Sequence, residues 1–89
     1  MAERLVRIQN KLGLHARASA KLATEASRFN SEIILSKDGI EINAKSIMGI
    51  MMLAACRGSE LSLRAEGPDA EAALEAIEIL VNSRFGEGE

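Results

Sequence analysis

The sequence predicts a two-layer α+β domain in the chain order βαββαβα, with three helices covering one face of a four-stranded, mainly antiparallel sheet. Three observations predict it: four short segments alternate apolar and polar residues with the period of a strand, the segments between them place apolar residues at helical spacing, and Gly, Pro and Asp punctuate the joins. At 89 residues the chain is expected to be one domain over 1–89 with a single modest core.

Glu3 to Asn10 reads as the first strand, with Val6 and Ile8 on one face and Arg7 and Gln9 on the other, and the loop Asn10 to Gly13 follows. Ser19, Leu22, Ala23, Ala26 and Phe29 make one stripe of a helix over residues 16–28, opposite Lys21, Thr24, Glu25 and Arg28. Ile33 and Leu35 alternate with Glu32, Ile34 and Ser36, and Asp38-Gly39 turns the chain into Ile40, Ile42 and Ala44, so a hairpin is expected. Ser46 is placed to cap a short helix that closes near Gly58. That helix holds Ile47, Met48, Met51 and Met52, of which at least two are expected in the core and the outward members, Ile47 and Met48 first, at the surface. Leu61, Leu63 and Ala65 alternate with Ser62 and Arg64 as the fourth strand. After Gly67-Pro68-Asp69, a last helix carries Ala73, Leu74, Ile77, Leu80 and Val81, with Asp69 and Glu71 suited to its first turn. The small acidic tail from Gly86 to Glu89 is expected to fray. The sheet face away from the helices must tolerate water, as Arg7, Glu41 and Arg64 do.

Composition narrows the function. Eleven Lys and Arg against thirteen Asp and Glu give a net charge of −2, and aromatic residues make up 2% of the chain, so neither the basic excess nor the stacking platform of a nucleic-acid binder is present. Cys56 is the only cysteine, which rules out an internal disulfide and a cysteine metal cluster and suits a reducing cytoplasm. No apolar run approaches the roughly 18 residues of a membrane span, and membrane insertion is not expected.

The only histidine, His15, lies between a glycine-marked loop and the first helix, in the string Gly13, Leu14, His15, Ala16, Arg17. A helix start offers unpaired N–H groups, here those of Ala16 and Arg17, and the positive end of the helix dipole, which together hold an anion and disfavour the imidazolium. Imidazole is a good nucleophile toward phosphorus, and the Arg17 guanidinium can grip phosphate oxygens. No second histidine, no carboxylate within the loop and no phosphate-binding glycine loop accompany them, so metal binding and triad chemistry lack parts. A group that takes up phosphoryl and gives it away needs few parts.

The strings NKLGLHARASAKL, AKSIMGIMMLAACRGSEL and AEGPDAEAAL span nearly the whole chain, and together they resemble the histidine-containing phosphocarrier family HPr of the bacterial phosphoenolpyruvate-dependent phosphotransferase system. The resemblance implies an open-faced β-sandwich of four strands and three helices. It implies that His15 accepts phosphoryl on Nδ1 from enzyme I and passes it to enzyme IIA, assisted by Arg17, in a carrier that uses no cofactor and is not a complete enzyme by itself. Ser46, in AKSIMG, looks like the serine modified by HPr kinase/phosphorylase; Ile47, Met48 and Met51 are implied in partner docking, and a monomer is expected. Ala18 stands where the family usually has proline, which costs some preorganisation of the first turn and no catalytic atom. NKLG and VNSRF also resemble the nitrogen-related branch, whose carrier serves a regulatory enzyme IIA. Two other readings compete: a purely regulatory binding module, which would not need His15, and a small phosphatase, which would need a water-positioning residue beside an arginine cradle.

Overall fold

The computed structural model describes residues 2–88. The elements run β1 (Ala2–Arg7), α1 (Ala16–Ala26), β2 (Glu32–Lys37), β3 (Ile40–Asn43), α2 (Ile47–Met52), β4 (Glu60–Glu66) and α3 (Ala70–Asn82), followed by a tight turn over Arg84–Gly86. The order βαββαβα and the single four-stranded sheet are as expected. The sheet order is β1-β4-β2-β3 with every pairing antiparallel.

Alternation along the strands decides what faces the helices. Val6 sits opposite Leu61, Leu35 opposite Leu63 and Ile33 opposite Ala65, and all six are buried. Each large aliphatic side chain removed from water contributes about 1.5–3 kcal/mol. Leu22, Ala23 and Ala26 of α1 and Ala73, Leu74, Ile77 and Val81 of α3 close the core from above. The opposite face stays open, where Arg64 pairs with Glu41 at 2.5 Å and Ser62 donates to Glu3 at 2.9 Å. Asp38 and Gly39 turn the hairpin with φ of 52° and 85°, as a two-residue loop between twisted strands requires.

Several boundaries differ from the sequence reading. β1 ends at Arg7, although Ile8 remains buried and continues the ladder by donating its N–H to Ser59 at 2.9 Å. α1 stops at Ala26, two residues early, and Phe29 is only partly buried. β3 stops at Asn43, yet Ala44 still donates to Ile33 at 2.9 Å. α2 closes at Leu53, followed by Ala54 at φ 50°, well short of Gly58. The expectation that at least two of Ile47, Met48, Met51 and Met52 enter the core is wrong: all four are exposed, at 43, 74, 41 and 70%. Six residues make less than two turns, and the inward stripe is already taken by Ile50 and, just beyond, Leu53.

Asp69 occupies the N-cap of α3, where its carbonyl accepts from Ala73 N–H at 2.9 Å, but its side chain makes no bond to that helix. Its carboxylate instead accepts from Asn30 N–H (2.9 Å), Ser31 N–H (3.0 Å) and Ser31 Oγ (2.6 Å), tying the start of α3 to the α1–β2 loop. The Ser31 hydroxyl, then the Asn30 N–H, hold its pKa below the ordinary aspartate value.

The tail expected to fray is instead tied down as far as Glu87; Glu89 lies outside the described residues. Phe85 is fully buried, and both Arg84 and Phe85 adopt left-handed backbone with φ of 58° and 56°. Such conformations cost about 1–2 kcal/mol per residue, and burial of the ring offsets the cost. Lys21 of α1 fastens the same turn by donating to the Phe85 carbonyl at 2.7 Å.

Candidate functional site

His15 is the N-cap of α1, with φ −75° and ψ −179°, and its carbonyl accepts the first helical bond from Ser19 N–H at 2.8 Å. Its side chain does not cap the helix. Ala16 and Arg17 are exposed, and at a helix start their N–H groups have no acceptor within the helix. Arg17 is exposed and has no ion pair among the described residues.

The loop leading to the histidine is tightly seated. Leu14 is buried and donates its N–H to Ala55 at 2.9 Å, and Ser19 Oγ returns to the Leu14 carbonyl at 3.1 Å. Gly13 adopts φ 68° against the backbone of Ala55 and Cys56, where a Cβ would lie 2.6 Å from the Ala55 oxygen. Asn10, fully buried, donates through Nδ2 to the Gly13 carbonyl at 2.8 Å.

A carboxylate that the sequence reading missed completes the site. Glu87 places Oε2 2.6 Å from His15 Nε2, while its Oε1 accepts from Asn10 Nδ2 at 3.0 Å. The hydrogen bond with His15 is the main cause that holds the Glu87 pKa below the usual glutamate value, with Asn10 and the charges of His15 and Lys21 acting in the same sense. An ionised carboxylate only accepts, so the proton between them belongs to Nε2, and in the neutral ring the lone pair is then on Nδ1. Among the described residues nothing hydrogen-bonds Nδ1. The signal for Glu87 was present in the sequence as Phe85, one of two aromatic residues, just before it: a bulky apolar residue in a polar tail anchors its neighbours.

His15, Ala16, Arg17, Lys11, Leu12 and Glu87 line one open depression. Ser46 lies elsewhere, as the half-buried N-cap of α2, and its Oγ accepts from Gly49 N–H at 3.0 Å, the expected cap. α2 packs against α1, and its exposed face presents Ile47, Met48 and Met51. Cys56 is exposed, with its sulfur 3.8 Å from Ser59 Oγ. Among the described residues there is no cluster of His, Cys, Asp and Glu suited to a metal, and no helix is long and apolar enough to cross a membrane.

A family profile described as "PTS HPr component phosphorylation site" matches residues 2–83. The phosphocarrier protein HPr of Cupriavidus necator is 53% identical over 89 residues, covering all of both chains. The crystal structure of HPr-C-His from Thermoanaerobacter tengcongensis superposes with a TM-score of 0.96 at 47% identity and full coverage of both chains. The crystal structure of an HPr dimer from the same organism matches with a TM-score of 0.79 at 48% identity, covering 98% of this chain and all of the other.

Proposed function

Given that the chain belongs to the HPr family of phosphocarrier proteins of the phosphotransferase system, we propose that His15 Nδ1 accepts a phosphoryl group from phospho-enzyme I and delivers it to an enzyme IIA, within the cytoplasm. The observation that carries the reading is the pairing of an Nδ1 free of hydrogen bonds among the described residues with the helix-start N–H groups of Ala16 and Arg17.

In this reading the Nδ1 lone pair attacks phosphorus, the bond to the donor's leaving atom breaks, and the bonding pair departs with the donor. The phosphoryl oxygens meet the Ala16 and Arg17 N–H groups, the helix dipole and the Arg17 guanidinium, which replace water around the charge. Return of the group to an acceptor follows the same path in reverse. No described residue is set to activate water there, so the phosphoryl group waits for a partner's nucleophile. Docking falls to the exposed Ile47, Met48 and Met51, whose flexible thioethers suit unlike partners.

The test is incorporation of phosphate from phosphoenolpyruvate with purified enzyme I. An acid-labile, alkali-stable adduct is expected in the natural protein and none in His15→Ala; an adduct that persists in that variant refutes the assignment. Arg17→Ala removes charge-assisted bonds worth about 1.5–3 kcal/mol, a slowing of roughly 10- to 100-fold. A panel of sugar-specific and regulatory enzyme IIA proteins as acceptors assigns the branch.

Ser46 is the proposed regulatory position, a substrate of HPr kinase/phosphorylase. A phosphate there adds about −1.5 to −2 charges beside the apolar face of α2 and opposes docking of an acidic partner. Ser46→Asp keeps a capping oxygen and should slow transfer in a salt-dependent manner. Ser46→Ala should transfer normally while losing about 1 kcal/mol of stability with its cap. Equal transfer by both variants and by genuine phosphoserine at every salt concentration leaves Ser46 a helix cap.

A further inference from the structure

The carboxylate at the end of the chain joins two elements that sequence separates widely. Glu87 is 72 residues from His15 and 77 from Asn10, yet one oxygen serves each of them. Its position is set from several sides. The Phe85 ring is wholly buried, Lys21 holds the Phe85 carbonyl, and Glu87 N–H donates to the Arg84 carbonyl at 2.9 Å. Asn10 is a rigid anchor, because its Nδ2 serves two acceptors and its amide can therefore point only one way. Its Oδ1 is buried and has no partner among the described residues, so the orientation is held at a cost. A buried amide fixed at such expense, touching a carboxylate that touches the reactive ring, is a positioning device.

We propose that Glu87, braced by Asn10, is the positioning residue of the transfer site: it holds the His15 ring as the Nε2–H tautomer, with Nδ1 as nucleophile, and pairs with the charge the ring carries while phosphorus is bound. The proposal rests on the assignment of His15 as phosphoryl acceptor. When Nδ1 bonds to phosphorus and the donor leaves with its electron pair, the proton stays on Nε2 and the ring becomes a phospho-imidazolium. That cation lies against the Glu87 carboxylate, while Arg17 and the helix start serve the phosphoryl oxygens. On transfer onward, the nitrogen takes back its pair and the ring leaves as neutral imidazole. The other charges around the pair are Lys11 in the loop and Arg17 and Lys21 on α1. All three are cations, which leaves Glu87 the only anion described beside the imidazole.

The device makes an unusual demand of glutamine. A Glu87→Gln side chain has one acceptor, which Asn10 Nδ2 requires, so its amide group is turned to His15 Nε2 as a donor. The ring proton is then driven to Nδ1 and the nucleophile is blocked. Glu87→Ala frees the ring instead, and the tautomers relax to the mixture of an unrestrained imidazole.

The imidazole 15N spectrum of histidine-labelled protein, recorded where the ring is neutral, separates these states without any phosphorylation. The natural protein should show a protonated Nε2 and an unprotonated Nδ1, Glu87→Gln the reverse, and Glu87→Ala a mixture. In parallel, kcat for phosphorylation by enzyme I should fall at least tenfold in Glu87→Gln and less in Glu87→Ala, with KM within twofold in both. An Nε2–H tautomer retained in Glu87→Gln with kcat within twofold overturns the proposal, as does a change confined to KM, which belongs to docking. Failure of the natural protein to take up phosphate refutes the carrier assignment instead, a result the variants cannot mimic.

Discussion

Gly13→Ala tests how the loop before His15 is seated. The added methyl meets two penalties that can be separated. Gly13 has φ 68°, a left-handed conformation costing a residue with a Cβ about 1–2 kcal/mol. The Cβ would also lie 2.6 Å from the Ala55 oxygen and 2.8 Å from Cys56 Cα, both of them backbone atoms that cannot rotate aside. Relieving such overpacking costs a further 1–3 kcal/mol or so. Gly39→Ala is the control, since Gly39 has φ 85° in the hairpin turn and nothing within 4 Å of its would-be Cβ, so it meets the first penalty alone. In a domain of this size 1 kcal/mol moves Tm by about 4–8 °C, so Gly13→Ala should melt at least ~4 °C below Gly39→Ala. The chain has no Trp or Tyr, so far-UV circular dichroism under heat or urea is the assay. Equal melting of the two variants refutes the claim that the α2–β4 loop fixes the loop of the imidazole by contact.

Two further perturbations probe the supports of the fold. The Asp69 pKa is held down by Ser31 and Asn30, so its contribution is present above the ordinary aspartate value near 4 and is lost as pH falls through the lower folded value; Glu87, also held down, adds to the same loss. Urea midpoints measured from pH 7 to 2 should therefore fall below about pH 4 in the natural protein and less steeply in Asp69→Asn, and parallel curves would show that the clamp is electrostatically idle. Phe85→Ala removes a fully buried ring and should cost about 3–5 kcal/mol, partly relieved by the smaller strain of alanine at φ 56°; retention of the natural urea midpoint would mean the tail is not anchored by its ring.

The alternation of Leu61, Leu63 and Ala65, the Asp38-Gly39 turn and the stripe Leu22, Ala23, Ala26 are local patterns, and they carry the sheet, the hairpin and the helix faces into view from sequence alone. His15 and Arg17 are legible for the same reason, since two residues at one helix start need no tertiary information. The strand order β1-β4-β2-β3 is not local, and no periodicity encodes it. α2 is misjudged because a hydrophobic run was equated with a buried one, when the two available inward places belong to Ile50 and Leu53. Asp69 stands at the start of α3 as read from sequence, but the three donors of the α1–β2 loop that hold its carboxylate lie 38 or 39 residues away and no local pattern announces them. Glu87 escapes notice because a short, charged, glycine-flanked tail carries no periodicity, and its partners lie at the far end of the chain.

The placement of β4 has a consequence for synthesis. It is the one strand that joins the other parts, with β1 on one side and β2 on the other. Until residues 60–66 have been made, β1 has no neighbour and β2–β3 is a lone hairpin, a unit marginal in water. His15 is therefore synthesised well before residues 60–66, the strand without which the sheet behind its loop cannot be built. The carboxylate that completes the site arrives later still. A growing chain that already holds His15 thus lacks the Ala55 carbonyl that seats its loop and the Glu87 carboxylate that meets its ring.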